Sequence, residues 1–157
     1  MQIGANGAQV NDPLPPAAEQ ARRFARVRAA HRTEMQEDYV ELIADLIAAR
    51  GEARAADLAE RMGVTAATVA NTLGRLRRDG LVEMRPYRSI FLTEAGAAMA
   101  AASKARHEVV VRFLRALGLD AELAEADAEG LEHHLSEEAL RLMAGFVGEG
   151  ESAIGRN

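Results

Sequence analysis

The stretch Leu58-Ala59-Glu60-Arg61-Met62-Gly63-Val64-Thr65-Ala66-Ala67-Thr68-Val69-Ala70 has the spacing of a helix-turn-helix. Two helices that cross steeply need a small residue where they touch, and Ala59 supplies it. The turn between them needs a residue that tolerates a left-handed backbone, and Gly63 supplies that. Val69 is the apolar residue that faces the first helix, with Leu73 and Leu76 continuing the buried side. Thr65 is a good N-cap for the second helix, which is expected to run to Asp79 and stop at Gly80.

Working outward, Leu81-Val82-Glu83-Met84 and Ser89-Ile90-Phe91-Leu92 flank the turn Arg85-Pro86-Tyr87-Arg88 and read as a two-stranded hairpin. Helix-turn-helix plus hairpin is a winged DNA-binding unit. Its second helix leaves Ala66, Ala67, Thr68, Asn71 and Arg75 facing outward, and the capping Thr65 joins them as a candidate DNA contact. Thr68 and Asn71 are placed to reach base edges, and the alanines allow close approach and contact with thymine methyls. Arg75, Arg77 and Arg78 suit phosphates, as do Arg85 and Arg88 at the wing tip.

The 157 residues carry a formal net charge of −5, which by itself argues against a nucleic-acid partner. The distribution argues the other way. From Arg61 to Arg88 the basic residues are Arg61, Arg75, Arg77, Arg78, Arg85 and Arg88, against the acids Asp79 and Glu83, whereas the chain from Glu108 onward is strongly acidic. Apolar residues make up 48% and aromatics 4%, which favours packed helices. The absence of cysteine rules out disulfides, zinc fingers and thiol chemistry, so any metal must be held by Asp, Glu and His. No apolar run approaches the roughly 18 residues of a membrane span, and there is no apolar signal core at the N-terminus. A cytoplasmic protein that does not engage membranes is expected.

The expected fold is mainly α with a small β-wing. Residues 1–32 read as a disordered, basic arm, with Arg22, Arg23, Arg26, Arg28 and Arg32 on a helix-prone background that could touch phosphates. Residues 33–95 read as the winged helix-turn-helix, introduced by a helix from about Arg32 to Arg50 with the apolar stripe Tyr39, Leu42, Ile43, Leu46 and Ile47. Residues 96–150 read as a helical dimerisation region: a long helix to about Leu117, another from about Asp120, and a last one capped by Ser136. Residues 151–157 are expected to be a flexible tail.

Two places carry unusual chemistry. Asp38 and Glu41 are three apart and share a helix face. Glu129, Glu132 and His133 stand at i, i+3 and i+4, again on one face, and His107 on the long helix could complete the set. Carboxylates clustered in this way repel unless a cation or protons neutralise them. Oxygen-rich ligands with one or two imidazoles and no thiolate suit Mn(II) or Fe(II) better than a structural zinc site.

At these residues the chain resembles the diphtheria-toxin-repressor family of metal-dependent regulators, and specifically its manganese-sensing branch. The resemblance runs through Glu37-Asp38-Tyr39-Val40-Glu41-Leu42-Ile43, the winged helix, Arg106-His107-Glu108, and Asp127-Ala128-Glu129-Gly130-Leu131-Glu132-His133-His134-Leu135-Ser136, and covers about residues 33–147. It implies Asp38, Glu41, His107, Glu129, Glu132 and His133 as metal ligands. It also implies a homodimer that binds palindromic operator DNA and represses metal-uptake genes when Mn(II) is bound, with Fe(II) as the alternative co-activator and no organic cofactor. Hard carboxylates at Asp38 and Glu132, where iron-sensing members carry Met and Cys, favour manganese. One departure is that the turn after His107 holds Val110 and Val111, where relatives often carry a further carboxylate. Val109, Phe113, Leu114 and Leu117 are candidates for the dimer contact or for intramolecular core.

Two other function classes compete. A carboxylate–histidine cluster can serve a metallohydrolase or di-iron enzyme, but no His-Glu-x-x-His and no paired Glu-x-x-His motif is present, and no catalytic residue is assigned. A winged-helix regulator of an organic ligand would leave the acidic cluster incidental.

Overall fold

The computed structural model describes residues 14–85 and 89–154. Helix α1 (Ala17–Arg50) is followed by β1 (Ala53–Arg54), α2 (Ala55–Met62), α3 (Ala66–Arg78), β2 (Val82–Met84) and β3 (Ser89–Leu92). Then come α4 (Glu94–Ala116), α5 (Ala121–Leu131), a short 3-10 helix (Glu132–His134) and α6 (Glu137–Ile154).

The first helix is longer than its periodic stripe. It begins at Ala17, not near Arg32, so the expected arm is helical from Ala17 onward. The physical reason is that no Pro or Gly interrupts the chain between Pro16 and Gly51, and Ala, Arg and Glu are good helix formers. Burial is confined to its second half, at Glu37, Tyr39, Val40, Ile43 and Leu46. The last helix likewise continues to Ile154, into the segment expected to be a flexible tail.

The helix-turn-helix forms as its spacing predicts. Gly63 takes φ 64° between α2 and α3, and Thr65 caps α3 by accepting a hydrogen bond from the Thr68 N–H at 3.2 Å. The wing differs from a plain hairpin. Three strands make an antiparallel sheet in the order β1-β3-β2, with Ala53 opposite Ile90 and Val82 opposite Leu92. The turn residues Pro86 and Tyr87, and Arg88 with them, lie outside the described residues.

One core joins Tyr39, Val40, Ile43 and Leu46 of α1 to Leu58, Val69, Leu73, Leu76, Val82, Ile90 and Ala100. Each fully buried Ile, Leu or Val contributes about 1.5–3 kcal/mol by leaving water. A second core packs Val110 and Leu114 of α4 on Ala124 and Ala128 of α5, with Phe113, Leu135, Leu140 and Met143 around them. Val110 is therefore a core residue, and Leu114 is intramolecular as well. Helix α1 bears on both halves: it supplies the first core and also packs against α4 and the 3-10 helix.

Candidate metal centre

The side chains that meet between the two cores come from three separated parts of the chain. Helix α1 brings Glu37 and Asp38, α4 brings Arg106 and His107, and the α5–3-10 junction brings Glu125, Glu129, Glu132 and His133. The 3-10 helix itself is unusual in sequence terms, because Glu132 and His133 stand where an α-helix was expected to continue. Its tighter winding turns both side chains inward: each is 2% exposed.

His133 is oriented from behind. Its Nδ1–H donates to Glu37 Oε2 at 2.7 Å, which leaves Nε2 facing Asp38 Oδ1 at 3.5 Å and Glu132 Oε1 at 3.4 Å. Glu37 is itself held by Arg106, whose Nη2 lies 2.6 Å from the same carboxylate oxygen. A carboxylate behind the ring fixes the tautomer and raises the basicity of the free nitrogen, as it does for metal-ligating histidines generally. His107 sits between two carboxylates, Nδ1 at 2.5 Å from Glu132 and Nε2 at 2.7 Å from Glu125. Donor atoms of His107, Glu129 and Glu132 all lie within 4.8 Å of one another.

The electrostatics match a site short of positive charge. Burial pushes the Asp38 carboxyl up to about 6; His133 opposes this, while Glu34, Glu129 and Glu41 add to it. Burial also raises Glu132, with His107 and His133 pulling the other way. Burial pulls His107 down, but its hydrogen bonds to Glu125 and Glu132 outweigh this and leave it raised. Without a cation, then, Asp38 and Glu132 keep protons that neutralise them to higher pH than free carboxyls do, and His107 keeps its positive charge to higher pH than a free imidazole. A divalent ion fits this donor set: carboxylates and imidazoles that converge, are partly buried and are held by outer partners.

Of the six ligands expected from the sequence, the structure gathers Asp38, His107, Glu129, Glu132 and His133. Glu41 stands one turn further along α1, in a cleft with Ala100 and Lys104, and acts on Asp38 through its charge. Sequence reasoning did not single out Glu37, Arg106 or Glu125 as members of this site. Glu125 stands one helical turn before Glu129, and that spacing was the available signal. The role of Glu37 depends on partners at positions 106 and 133, which no local pattern reveals.

The other candidate surface is the outer face of α3. Thr65, Ala66, Ala67, Thr68, Asn71, Arg75 and Arg78 are all exposed. The Thr65 and Thr68 hydroxyls lie 2.9 Å apart, and Arg75 reaches back to Thr72 at 3.3 Å. Arg85 is exposed at the end of the wing, its guanidinium 4.4 Å from the centre of the Phe91 ring. Gln36 of α1 donates to Asp79, just past the end of α3, at 2.7 Å, so the helix that carries Asp38 also touches the DNA-reading unit directly.

Two family models match in order along the chain. Residues 31–90 match the N-terminal DNA-binding domain of iron-dependent repressors, and residues 93–153 match their metal-binding and dimerisation domain. The transcriptional regulator MntR of Escherichia coli is 54% identical over 117 residues, covering 74% of this chain and 76% of that protein. That of Salmonella typhimurium is 49% identical over 124 residues, covering 79% of each. The HTH-type transcriptional regulator MntR of Bacillus subtilis is 38% identical over 104 residues, covering 66% of this chain and 73% of that one. Among solved structures, T. acidophilum IdeR is 26% identical with a TM-score of 0.65, over 71% of this chain and 53% of that one. A manganese-dependent transcriptional repressor in complex with manganese is 29% identical with a TM-score of 0.61, over 71% of this chain and 52% of that one. The chain thus spans about half the length of these two solved structures. With both repressor domains matched in sequence and half of the aligned residues shared with a regulator from Escherichia coli, the chain belongs to the iron-dependent repressor family of transcriptional regulators, alongside the MntR proteins.

Proposed function

We propose that the protein is a manganese-dependent repressor of metal-uptake genes, acting in the cytoplasm as a homodimer on palindromic operator DNA. The observation that carries the reading is the convergence of Asp38 of α1 with Glu132 and His133 of the 3-10 helix, at 3.4–3.5 Å around one imidazole nitrogen. Asp38, Glu41, His107, Glu129, Glu132 and His133 are the residues that would hold Mn(II). The ion supplies positive charge where carboxylates from two domains face each other. The donor set is rich in oxygen and has no thiolate, which favours Mn(II), with Fe(II) next.

The chain's own residues do the coupling. Asp38 lies two residues from Val40 and five from Ile43, both fully buried in the core of the DNA-binding unit. Whatever fixes α1 against the 3-10 helix therefore also fixes the orientation of α3. Thr65, Ala66, Ala67, Thr68 and Asn71 are assigned to the major groove, and Arg75, Arg78, Arg85 and Arg88 to phosphates. Leu117, Leu142 and Phe146 are exposed apolar residues on the C-terminal helices and supply the dimer contact.

The reading is tested with a duplex selected from a random pool in the presence of Mn(II), followed by anisotropy titration with Mn(II), Fe(II) and Zn(II) under anaerobic conditions. Operator affinity is expected to rise with Mn(II) by roughly 5–150-fold, the usual range of such coupling. Asp38→Ala and Glu132→Ala should remove the response while leaving weak, metal-independent binding. An affinity indifferent to Mn(II), or a response intact in both variants, would sink the reading.

A further inference from the structure

A second cluster of metal-ligating side chains stands outside the site described above. His31 and Glu34, three apart on α1, meet His134 of the 3-10 helix, and one donor atom from each lies within 4.8 Å of the others. The His31 and His134 rings stand edge to face with their centres 5.0 Å apart. Glu34 Oε2 is 4.0 Å from His134 Nε2. We propose that His31, Glu34 and His134 form a separate cation site for a divalent ion of the zinc class.

The geometry and the chemistry agree on this. Ligand atoms at about 2.0–2.2 Å from a tetrahedral ion stand roughly 3.3 Å from each other. Closing from the present separations requires only rotation of side chains that are about a third exposed at Glu34 and His134. That exposure leaves water to complete the coordination. Two imidazoles with one carboxylate form a borderline donor set, which suits Zn(II), Co(II) or Ni(II), whereas the neighbouring centre is dominated by oxygen.

The two sites are adjacent but built from different side chains. His133 turns inward to Glu37 with 2% of its side chain exposed, and His134, the next residue, points outward. Glu34 stands one helical turn before Asp38, so an ion here would tie α1 to the 3-10 helix a second time. Arg23 and Arg26, from preceding turns of α1, line the cleft beside His134, and Arg23 is engaged by Glu19 at 2.6 Å.

The test is calorimetric titration of the full chain with Zn(II) and, separately, with Mn(II), for wild type, His31→Ala and His31→Gln, with circular dichroism to check folding. His31 is exposed on a helix surface, so neither change disturbs a core. Both variants are expected to bind one fewer Zn(II) per chain than wild type and the same number of Mn(II). An unchanged Zn(II) count in both variants overturns the site. A parallel loss of Mn(II) overturns its separateness. Failure of Mn(II) to alter DNA binding would leave the Zn(II) count where it stands, so the two readings fail independently.

Discussion

Asp38 is a single carboxyl whose burial opposes folding once it is charged. The folded protein holds its proton up to a pH of about 6, whereas the ordinary value is 3.8. Folding therefore takes up a proton between these values, and Asp38 detracts from stability progressively as pH rises through that window and not below it. His107 acts in the same sense, since its raised value means that stability is lost as pH climbs past it. Metal-free protein should melt at a lower temperature at pH 7.5 than at pH 5, and added Mn(II) should reverse the trend. Asp38→Asn should stabilise the metal-free protein at pH 7 by on the order of 1 kcal/mol once its partial exposure is allowed for, seen as a higher melting temperature, and the gain should vanish near pH 4. Thermal scans across pH, with chelator and with Mn(II), decide this. The proposed ligand positions on α1 and before Leu135 stood out in the sequence, because two sets of i, i+3 carboxylates and an adjacent histidine are local patterns. Glu37 was not: a buried glutamate satisfied by Arg106 and His133 looks, in sequence, like one more acid on a solvated helix.

At the scale of elements, the join between the wing and α4 is closely packed. Thr93 caps α4 by accepting from the Gly96 N–H at 3.1 Å, and its hydroxyl donates to the Gly80 carbonyl at 2.6 Å. A Cβ on Gly96 would fall 2.0 Å from the Leu81 carbonyl oxygen, so the helix start is pressed onto backbone and cannot give way cheaply. Gly96→Ala should cost roughly 2–3 kcal/mol, with loss of cooperative unfolding in urea as the extreme outcome. Gly130→Ala, with open space around the added carbon, should be close to neutral or slightly stabilising in the same assay. Helices ended by Gly51, Gly63 and Gly80 were read correctly because a left-handed glycine is a local signal. Strand β1 was not read, since two residues, Ala53 and Arg54, carry no alternation; they pair only because β3 offers them an edge. The first half of α1 was misplaced for the opposite reason: it has helix propensity but no apolar stripe to advertise it.

For the whole molecule, exposed apolar residues occur on α1 and on the C-terminal helices, and the latter include the proposed dimer contact. Leu142 is 58% and Phe146 52% exposed, and Phe146 packs edge to face on Phe113 of α4 at 5.5 Å. Leu117, at the end of α4, is 57% exposed as well. Leu142→Glu combined with Phe146→Glu should convert a dimer into a monomer in sedimentation equilibrium and weaken operator binding at least tenfold, while leaving the helical signal in circular dichroism unchanged. A wild-type chain that sediments as a monomer would remove this assignment. The sequence named Val109, Phe113, Leu114 and Leu117 as apolar candidates for this contact, but it could not separate Leu114, which is buried, from Leu117, which is exposed.

The cluster that joins residue 37 to residue 133 has one more consequence, for the lifetime of the protein in the cell. An ion that binds only where α1, α4 and the 3-10 helix are assembled is linked to the folding equilibrium of the entire chain. At a hundred times its dissociation constant it deepens stability by about 2.7 kcal/mol. Starvation for the metal would then do more than release the operator: it would raise the fraction of chains open to proteases. A cell emerging from starvation would have to synthesise its regulator afresh, which delays the return of repression beyond the time that rebinding of the ion requires.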